Sequence, residues 1–495
     1  MNKFTNYLPW AIAFLMSSFF IAVNSDSTSP LFWGRQVDSP IFQYMGYSML
    51  QGKIPYTDLF DHKGLLLYWI NALGYLIHPK YGVMLLQIVN LTFTMTLWYR
   101  ILDSVKGEWM KYSILALALL GLYSYFIYGN LEEEWCLFFI TYPIVAYFES
   151  KKHHGIFSNK QLFSIGVCLG AIAMIRLNIM APVLGILVYC LIEAIGKKEY
   201  QYIGQALKWS VLGFVLFPVL GCVYMFVVNG VTGIDNMFFA TILFNLEFAA
   251  NPGIGSHLFG EYEFIYKAML PMLFLLPFIG QNKRDILVLC SSFMVTALLM
   301  GGKDEYHYLM MFIPLLVASF ACINSSKLRY VAVVVLALLY SKTVYRQFDW
   351  SHFLSSEGTA YTEAFNKVIA PIPESKRNEI WNMGGGYIVE DFMHAHLVQS
   401  NRILLPFQMS ISDRLYNEES EQIQKVKPEY VIYASYAEKW QNDGLRYHKK
   451  HDFAESDSDL QFLLNNYELL VTADRPDGTQ LFCYHLKKKQ DNSEI

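Results

Sequence analysis

The segment from Val37 to Trp69, VDSPIFQYMGYSMLQGKIPYTDLFDHKGLLLYW, is polar and acid-bearing in a chain that is otherwise mostly apolar. It carries Asp38 near its start and the run Asp61, His62 and Lys63 near its end. One interpretation is a long solvated connection, but loops of this length without a function are uncommon. An acid, an imidazole and an ammonium group side by side can transfer protons and bind phosphate. We therefore expect the loop to carry the chemistry of the protein and the remaining chain to hold it in place.

The composition is that of a polytopic α-helical membrane protein. Of the 495 residues, 54% are hydrophobic and only 16% are charged, which is well below the charged share of a soluble domain. The net charge of -4 offers no basic surface for nucleic acid, so that class of partner is excluded. The seven cysteines include no CxxC pair, and neither a disulfide framework nor a zinc site is expected.

Apolar runs long enough to cross a bilayer recur along the first 344 residues. The first of them, Leu8 to Val23, is followed by no small-residue cleavage site of the usual kind, so we interpret it as a retained helix and not as a signal peptide. Together with this helix the sequence predicts about eleven spans. The other ten cover about 83–101, 112–129, 134–148, 162–178, 180–195, 206–228, 264–280, 285–300, 308–323 and 328–344.

Two apolar stretches inside the long loop, Ser39 to Leu50 and Gly64 to Ile77, are too short to span a bilayer. We predict that both are helices lying in the membrane interface. Their aromatic residues suit the headgroup level, where a ring can keep one edge in water. These residues are Tyr44, Tyr47, Tyr68 and Trp69.

The distribution of Lys and Arg predicts the orientation in the membrane. Basic residues are concentrated in alternate connections, for example at 100–111, 151–160, 197–208, 283–284 and 327–329, and are sparse in the others. Positive residues are retained on the cytoplasmic side. The sequence therefore predicts a multi-pass protein of the plasma (inner) membrane whose N-terminus is cytoplasmic and whose long loop is extracytoplasmic.

The composition becomes charged and polar after residue 344. We predict a transmembrane domain over 1–344 and a small extracytoplasmic α/β domain over 345–495. His394 and His396 lack metal-ligand partners in the sequence and are interpreted as surface residues. A hairpin turn, DRPDGT, is expected between the last two predicted strands. The predicted strands are at 379–383, 402–407, 430–435, 467–473 and 480–486.

Charged and polar side chains recur at the predicted outer ends of the spans. Arg176 lies between GAIAMI and LNIMAPVLGI with little room to reach water, and a guanidinium there needs an anion such as a carboxylate or a phosphate. The acids around Glu133 are either a functional group or a solvated helix end. His307, followed by Tyr308, is either a site residue or a structural histidine.

The order of these elements resembles the membrane glycosyltransferases of the GT-C type. The elements are a first span, an outward loop with an early acid (Asp38), the motif Y-T-D-x-F-D-H-K-x at 56–64 and H-Y-x₅-P at 307–314. Within GT-C, the chain is most similar to the branch that contains the protein O-mannosyltransferases and the aminoarabinose transferase of lipid A. The resemblance covers about 1–344 and extends more loosely into the C-terminal domain.

The resemblance implies transfer of a sugar from a polyprenyl-phosphate carrier to a lipid, glycan or protein acceptor at the outer leaflet, with inversion at the anomeric carbon. It also implies that an acid of the loop is the catalytic or acceptor-orienting carboxylate, which by position is Asp38, with Asp61 as the second candidate. Several relatives place a second acid directly after the first, where this chain has Ser39. The use of a divalent metal therefore stays open, and no other cofactor is expected.

The residues independently suit this chemistry. A lipid-linked sugar phosphate needs no soluble nucleotide, which agrees with the lack of a Rossmann or P-loop motif in the sequence. Transfer requires a carboxylate for the acceptor proton and cations that offset the charge on the leaving phosphate. The candidates for phosphate binding are Lys63, Arg176, Lys303 and His307, and the further site candidates are His62, Glu133 and Tyr308.

Two hypotheses from other classes are a transporter or flippase for a lipid-linked sugar and a non-catalytic protein of cell-envelope assembly. The odd number of predicted spans and the absence of a detectable inverted repeat in the sequence argue against the transporter. A scaffold would leave the acids of the loop without a purpose.

Overall fold

The computed structural model is mostly helical and contains one small sheet. The chain divides into two compact units, and it passes from one to the other between His62 and Lys63. The first unit contains Met1–Gln36, Lys63–Tyr224 and Gly255–Leu354, and the second contains Val37–His62, Met225–Ile254 and Ser355–Ile495. The structure describes residues 3–25, 38–126, 129–151, 156–250, 282–299, 306–348, 357–384, 388–404, 408, 411–435 and 458–487.

The helices follow the apolar runs of the sequence, and the two short helices predicted inside the loop are confirmed as α2 and α3. The described helices are α1 (Lys3–Asn24), α2 (Asp38–Leu50), α3 (Leu65–Ile77), α4 (Gly82–Ile101), α5 (Glu108–Tyr123), α6 (Glu132–Ser150), α7 (Asn159–Ala173), α8 (Ala181–Gly196), α9 (Tyr200–Phe214), α10 (Leu216–Phe238), α11 (Phe244–Ala250), α12 (Lys283–Leu299), α13 (Ile313–Cys322), α14 (Ser326–Gln347), α15 (Glu357–Ile369), α16 (Val389–His394), α17 (Asp413–Val426) and α18 (Ser458–Asn466).

Several helical segments of the described chain are long and apolar enough to cross a membrane, which supports the predicted membrane fold. The count of about eleven spans stays a prediction, and the predicted span at 264–280 lies outside the described residues. Two shorter apolar helices cover Leu65–Ile77 and His307–Cys322. The five long segments are Tyr7–Asn24, Gly82–Ser104, Leu177–Gly196, Tyr200–Ala250 and Ser326–Tyr345.

Small residues allow the helices of the first unit to pack closely. A Cβ atom on Gly166 of α7 would lie 2.1 Å from the backbone oxygen of Ser210 in α9, and one on Gly185 of α8 would lie 2.3 Å from the Cα of Ser292 in α12. The Ser292 hydroxyl also donates a hydrogen bond to the Pro182 carbonyl at 2.6 Å. Close backbone contact and interhelical hydrogen bonds replace the hydrophobic driving force that is missing between helices in lipid.

The second unit contains a four-stranded sheet of order β1-β2-β4-β3. Strand β1 (Trp381–Asn382) pairs parallel to β2 (Tyr430–Ser435), and β4 (Gln480–Leu486) is antiparallel to both β2 and β3 (Tyr467–Asp474). The predicted hairpin is confirmed. Its turn contains Gly478 at a φ of 80°, a conformation in which a side chain would be strained.

The predicted strand at 402–407 does not form within its described part, 402–404. Ile403 makes only an isolated bridge with Phe60. The amide side chain of Gln399 donates to the Ile403 carbonyl at 3.0 Å, and Asn401 donates to the Asn382 carbonyl at 3.0 Å. Side-chain amides therefore take hydrogen-bonding groups that a regular strand ladder would use.

The aromatic side chains of α2 and α3 correct one expectation. Tyr44, Tyr47 and Tyr68 are almost completely buried inside the protein, whereas rings at the headgroup level would keep one edge in water. The Tyr44 hydroxyl accepts a hydrogen bond from the Gln399 backbone N–H at 2.7 Å, and its ring packs edge-on against Phe392. In the second unit α2 is thus a core element.

Candidate functional site

The first unit brings two predicted cations onto one carboxylate. The Lys63 ammonium lies 3.2 Å from Oε1 of Glu132, and Nη1 of Arg176 lies 3.3 Å from the same oxygen. Glu132 is 1% exposed, and Lys63 and Arg176 keep 10% and 15% of their side chains exposed. Because buried charges must be paired, these contacts hold both cations in place.

Backbone contacts explain why Lys63 and Arg176 come together. The Gly64 N–H donates to the Ile175 carbonyl at 2.8 Å, and the Leu66 N–H donates to the Met174 carbonyl at 2.9 Å. A Cβ atom on Gly64 would lie 2.0 Å from the Met174 oxygen, so this approach requires glycine. These backbone contacts therefore hold Lys63, the neighbour of Gly64, close to Arg176.

Arg176 lies at a break between two helices. Helix α7 ends at Ala173, Arg176 is extended with φ -162° and ψ 123°, and a short 3-10 helix follows at Leu177–Met180. Pro182 then occupies the first turn of α8, where its missing N–H costs nothing. Helix α7 therefore ends earlier than the predicted span at 162–178, and non-helical backbone of this kind in membrane proteins is tolerated where it is buried or lines a cavity.

Glu133 and Tyr308 complete the surroundings of Arg176. Oε1 of Glu133 lies 3.6 Å from Nη1 of Arg176, and this carboxylate is fully buried. The Arg176 guanidinium donates a hydrogen bond to the Tyr308 hydroxyl and lies 4.5 Å from the centre of the Tyr308 ring. His307 is also buried, and its Nε2 atom lies 4.0 Å from Oε1 of Glu133. We call Lys63, Glu132, Glu133, Arg176, His307 and Tyr308 the cation–carboxylate cluster.

Two carboxylates of this cluster have hydrogen-bonding capacity left. Oε2 of Glu132 and both oxygens of Glu133 have no hydrogen-bond partner among the described residues. Buried acceptors without a donor are rare in proteins. They are suited to accept a hydrogen bond from a bound molecule.

A polar network beside the cluster holds the start of α6. Glu134 accepts hydrogen bonds from the Gln87 side chain at 3.0 Å and from the Asn130 backbone N–H at 2.7 Å. Asn130 has a φ of 56°, and its side-chain oxygen accepts from the Trp135 indole at 2.9 Å. The three acids that begin α6 also lie at the positive end of its dipole, which favours carboxylates there.

The second unit contains the other two members of the loop run. Nδ1 of His62 lies 3.3 Å from Oδ1 of Asp61, and both side chains are buried. The Gln408 amide donates to Asp61 at 3.3 Å, and Asn245 donates to the His62 carbonyl at 3.0 Å. The His62 ring stacks on Phe248. We call Asp61, His62, Gln408 and Asn245 the acid–imidazole cluster.

Asp38 differs from Asp61 in its accessibility. It is the first residue of α2 and is partly exposed, whereas Asp61 is 1% exposed. An anion in the first turn of a helix is favoured by the helix dipole. Of the remaining candidates, Lys303 lies outside the described residues. Within the described part of the chain, no group of three or more His, Cys, Asp or Glu side chains is placed to hold a metal ion.

Comparison with solved structures identifies the architecture. The crystal structure of ArnT, the lipid A aminoarabinose transferase, from Cupriavidus metallidurans bound to undecaprenyl phosphate superposes with a TM-score of 0.57 at 11% identity, covering 96% of this chain and 98% of ArnT. The chain has the GT-C fold. The apo form of ArnT gives a TM-score of 0.56 at 12% identity, covering 96% of this chain and 97% of ArnT.

A second GT-C protein shows the same likeness over the length of the chain. The archaeal oligosaccharyltransferase AglB from Archaeoglobus fulgidus, in complex with an inhibitory peptide and a dolichol-phosphate, gives a TM-score of 0.53 at 12% identity, covering 99% of this chain and 75% of AglB. The resemblance to GT-C proteins seen in the sequence is thus confirmed for the fold. No family model and no curated protein matches the sequence.

Sequence reasoning selected most residues of the cation–carboxylate cluster but missed the amides of the acid–imidazole cluster. Gln408 and Asn245 belong to no motif, and they contact residues more than 180 positions away in the chain. A single amide carries no spacing signal in a sequence. Only the fold could bring these side chains to Asp61 and His62.

Proposed function

We propose that the protein is an integral membrane glycosyltransferase that moves a sugar from a polyprenyl-phosphate carrier to an acceptor on the extracytoplasmic side, with inversion. One observation carries the proposal: Lys63 and Arg176 converge on Glu132 in a chain with the GT-C fold. Two cations lie within about 3.3 Å of one carboxylate oxygen, which is the spacing at which they would also contact a phosphate oxygen.

The proposed reaction explains why cations are needed. The acceptor oxygen attacks the anomeric carbon, a new C–O bond forms, and the bond from that carbon to the phosphate oxygen breaks. The electron pair of the broken bond stays on the carrier phosphate, which gains negative charge. Lys63 and Arg176 stabilise that charge as it develops, and Lys303 and His307 are proposed to assist them.

A carboxylate must receive the proton of the acceptor hydroxyl. We assign this role to Asp38, because it is partly exposed and because the GT-C resemblance points to the first acid of the loop. Asp61 is the second candidate. It is buried and already paired with His62 and Gln408, which makes it a poorer base for a hydroxyl that arrives from outside.

Glu133 and Tyr308 are proposed to position Arg176 for the carrier phosphate. Tyr308 holds the guanidinium both through its hydroxyl and through its ring, and an arginine held in this way loses less conformational freedom when it binds. His62 is proposed to act with Asp61, because the two side chains are in contact.

The direct test is turnover of the donor. Purified full-length protein is incubated with polyprenyl-phosphate sugars and an acceptor, and lipid extracts are analysed by mass spectrometry. A transferase converts the donor to free carrier phosphate and glycosylated acceptor. A flippase reconstituted in vesicles moves the donor across the bilayer without consuming it, and an assembly scaffold does neither. Intact donor after long incubation with every carrier and acceptor class tested would contradict the proposal.

The orientation has its own test. Single cysteines replace Gln51 in the long loop, Glu468 in β3 and Lys327 at the start of α14, all of which are exposed. We expect an impermeant thiol reagent to label the first two in intact cells and Lys327→Cys only after permeabilisation. Labelling of Gln51→Cys only after permeabilisation would place the loop on the cytoplasmic side and rule out an extracytoplasmic site.

A further inference from the structure

The first unit contains a charged cavity at the end of α6 that is opposite to the cation–carboxylate cluster. Its volume is about 830 Å³, and its lining includes Glu149 at the end of α6 and the first residues of α12. Glu132 begins α6, so the cation–carboxylate cluster and Glu149 are separated by roughly 25 Å along the helix axis. The cavity is therefore distinct from the site proposed for sugar transfer.

The lining of this cavity contains one more cation than acid, and Arg284 is also paired with Glu193, which lies outside the lining, at 2.7 Å. Four cations and three acids line it: Arg100, Lys151, Lys283 and Arg284 against Asp103, Glu149 and Asp285. The α12 helix also begins in its wall, and the N-terminus of a helix carries partial positive charge.

Two of the three acids are already neutralised. The Asp285 carboxylate accepts hydrogen bonds from the Lys151 ammonium at 2.6 Å and from the Tyr147 hydroxyl at 2.9 Å. Glu149 forms an ion pair with Arg100. Lys283 is exposed and forms no ion pair with the described residues, so it can neutralise an incoming anion without breaking an existing bridge.

Part of the remaining wall of the cavity is apolar, and Ser104, Asn282 and Asn324 also line it. Ile101 and Val145 are buried, and Phe148 is half-buried beside the Lys151 ammonium, which lies 5.0 Å from its ring centre. Charged groups together with aliphatic and aromatic groups in one cavity suit a ligand that has both an anionic head and hydrocarbon. The volume falls within the range of small-molecule sites.

We propose that this cavity binds the phosphate headgroup of an anionic phospholipid. Its basic residues belong to the connections that the Lys and Arg distribution assigns to the cytoplasmic side, where anionic lipids produce a negative surface potential. Basic pockets between transmembrane helices on that side are suited to lipid phosphates. Lys283 supplies the charge, and Phe148 contacts the hydrocarbon next to the glycerol.

The test is lipid binding to the full-length protein in detergent, followed by native mass spectrometry. Phosphatidylglycerol is the anionic probe, phosphatidylcholine is the zwitterionic control, and inorganic phosphate is the competitor. We expect phosphatidylglycerol to bind at about tenfold lower concentration than phosphatidylcholine. Lys283→Gln should weaken phosphatidylglycerol binding by roughly three- to tenfold and leave phosphatidylcholine binding unchanged.

A matched variant separates the cavity from general surface charge. Lys327 is exposed, comes from the same predicted side and does not line the cavity, so Lys327→Gln should not change binding. Equal binding of the two lipids, or an equal loss in Lys327→Gln and Lys283→Gln, would overturn the proposal. Displacement of phosphatidylglycerol by millimolar inorganic phosphate would also overturn it, by showing a site for free anions. None of these measurements depends on sugar transfer.

Discussion

Three adjacent residues of one loop contribute to two clusters that differ in charge. Lys63 belongs to the cation–carboxylate cluster, and Asp61 and His62 belong to the acid–imidazole cluster. Lys63 joins Arg176 on Glu132, so that strong cations dominate around one carboxylate oxygen. Asp61 and His62 pair with each other and with the neutral amide of Gln408. The comparison shows that neighbours in sequence can serve different chemistry when a boundary between compact units falls between them. The first cluster suits anion binding, and the second suits local proton sharing.

The largest expected effect is the loss of transfer when Asp38, the accessible acid, is substituted. Substitution of Asp61, the buried acid, provides the comparison. Asp38→Asn keeps the side-chain shape at the start of α2 and removes the base, so transfer should fall on the order of a hundredfold or more. Asp61→Asn keeps a hydrogen-bond acceptor for Gln408 and should cause a much smaller loss. Initial rates of carrier phosphate release measure both, with thermal unfolding as a control for folding. A deep loss in Asp61→Asn together with near-normal transfer in Asp38→Asn would move the base to the acid–imidazole cluster.

Removing either cation of the cation–carboxylate cluster should weaken donor binding or slow transfer by about tenfold or more, because each supplies a charge-assisted contact to phosphate. The variants are Lys63→Ala and Arg176→Ala. Lys53→Ala is the matched control, since Lys53 lies in the same loop and forms no ion pair with the described residues. Donor binding and single-turnover rates are measured separately. If both variants matched Lys53→Ala, the cluster would not be the phosphate site.

The two ends of α6 provide a comparison of stability. Glu132→Gln removes the buried carboxylate that Lys63 and Arg176 share, although Arg176 keeps its 3.6 Å contact with Glu133, and should destabilise the protein by about 3–5 kcal/mol. Glu149→Gln removes a pair in which the carboxylate is 42% exposed and should cost about 0–1 kcal/mol. Thermal unfolding in detergent measures both variants. Similar unfolding temperatures would show that the Glu132 contacts contribute little to the fold.

The smallest effect is expected at the histidines of the second unit that lie outside both clusters. His394 and His396 are exposed, and the double change to Ala should leave transfer to a small acceptor within about twofold of the wild-type rate, because exposed side chains away from a site contribute little. The same rate assay applies. A loss comparable to that of Asp38→Asn would assign chemistry to the C-terminal region.

The sequence predicted the helices and strands of this fold better than the contacts between them. The strands at 430–435 and 480–486 match β2 and β4, since β-branched and aromatic runs bounded by turn residues suit strands in many contexts. The predicted span at 162–178 missed the break before Arg176. That break depends on hydrogen bonds from Gly64 and Leu66, more than 100 positions earlier in the chain, and no local pattern contains them.

The sequence by itself determined that Arg176 needs an anion, because a guanidinium in an apolar run cannot stay unpaired. It also determined that Asp61, His62 and Lys63 are adjacent. Only the tertiary structure decided that Glu132 is shared by Arg176 and Lys63, and that His62 turns instead to Asp61 and Gln408. The physical reason is that ion pairs between distant segments depend on how helices are rotated and packed. Hydrophobicity sets which segments are helical, but it does not set which polar side chains meet.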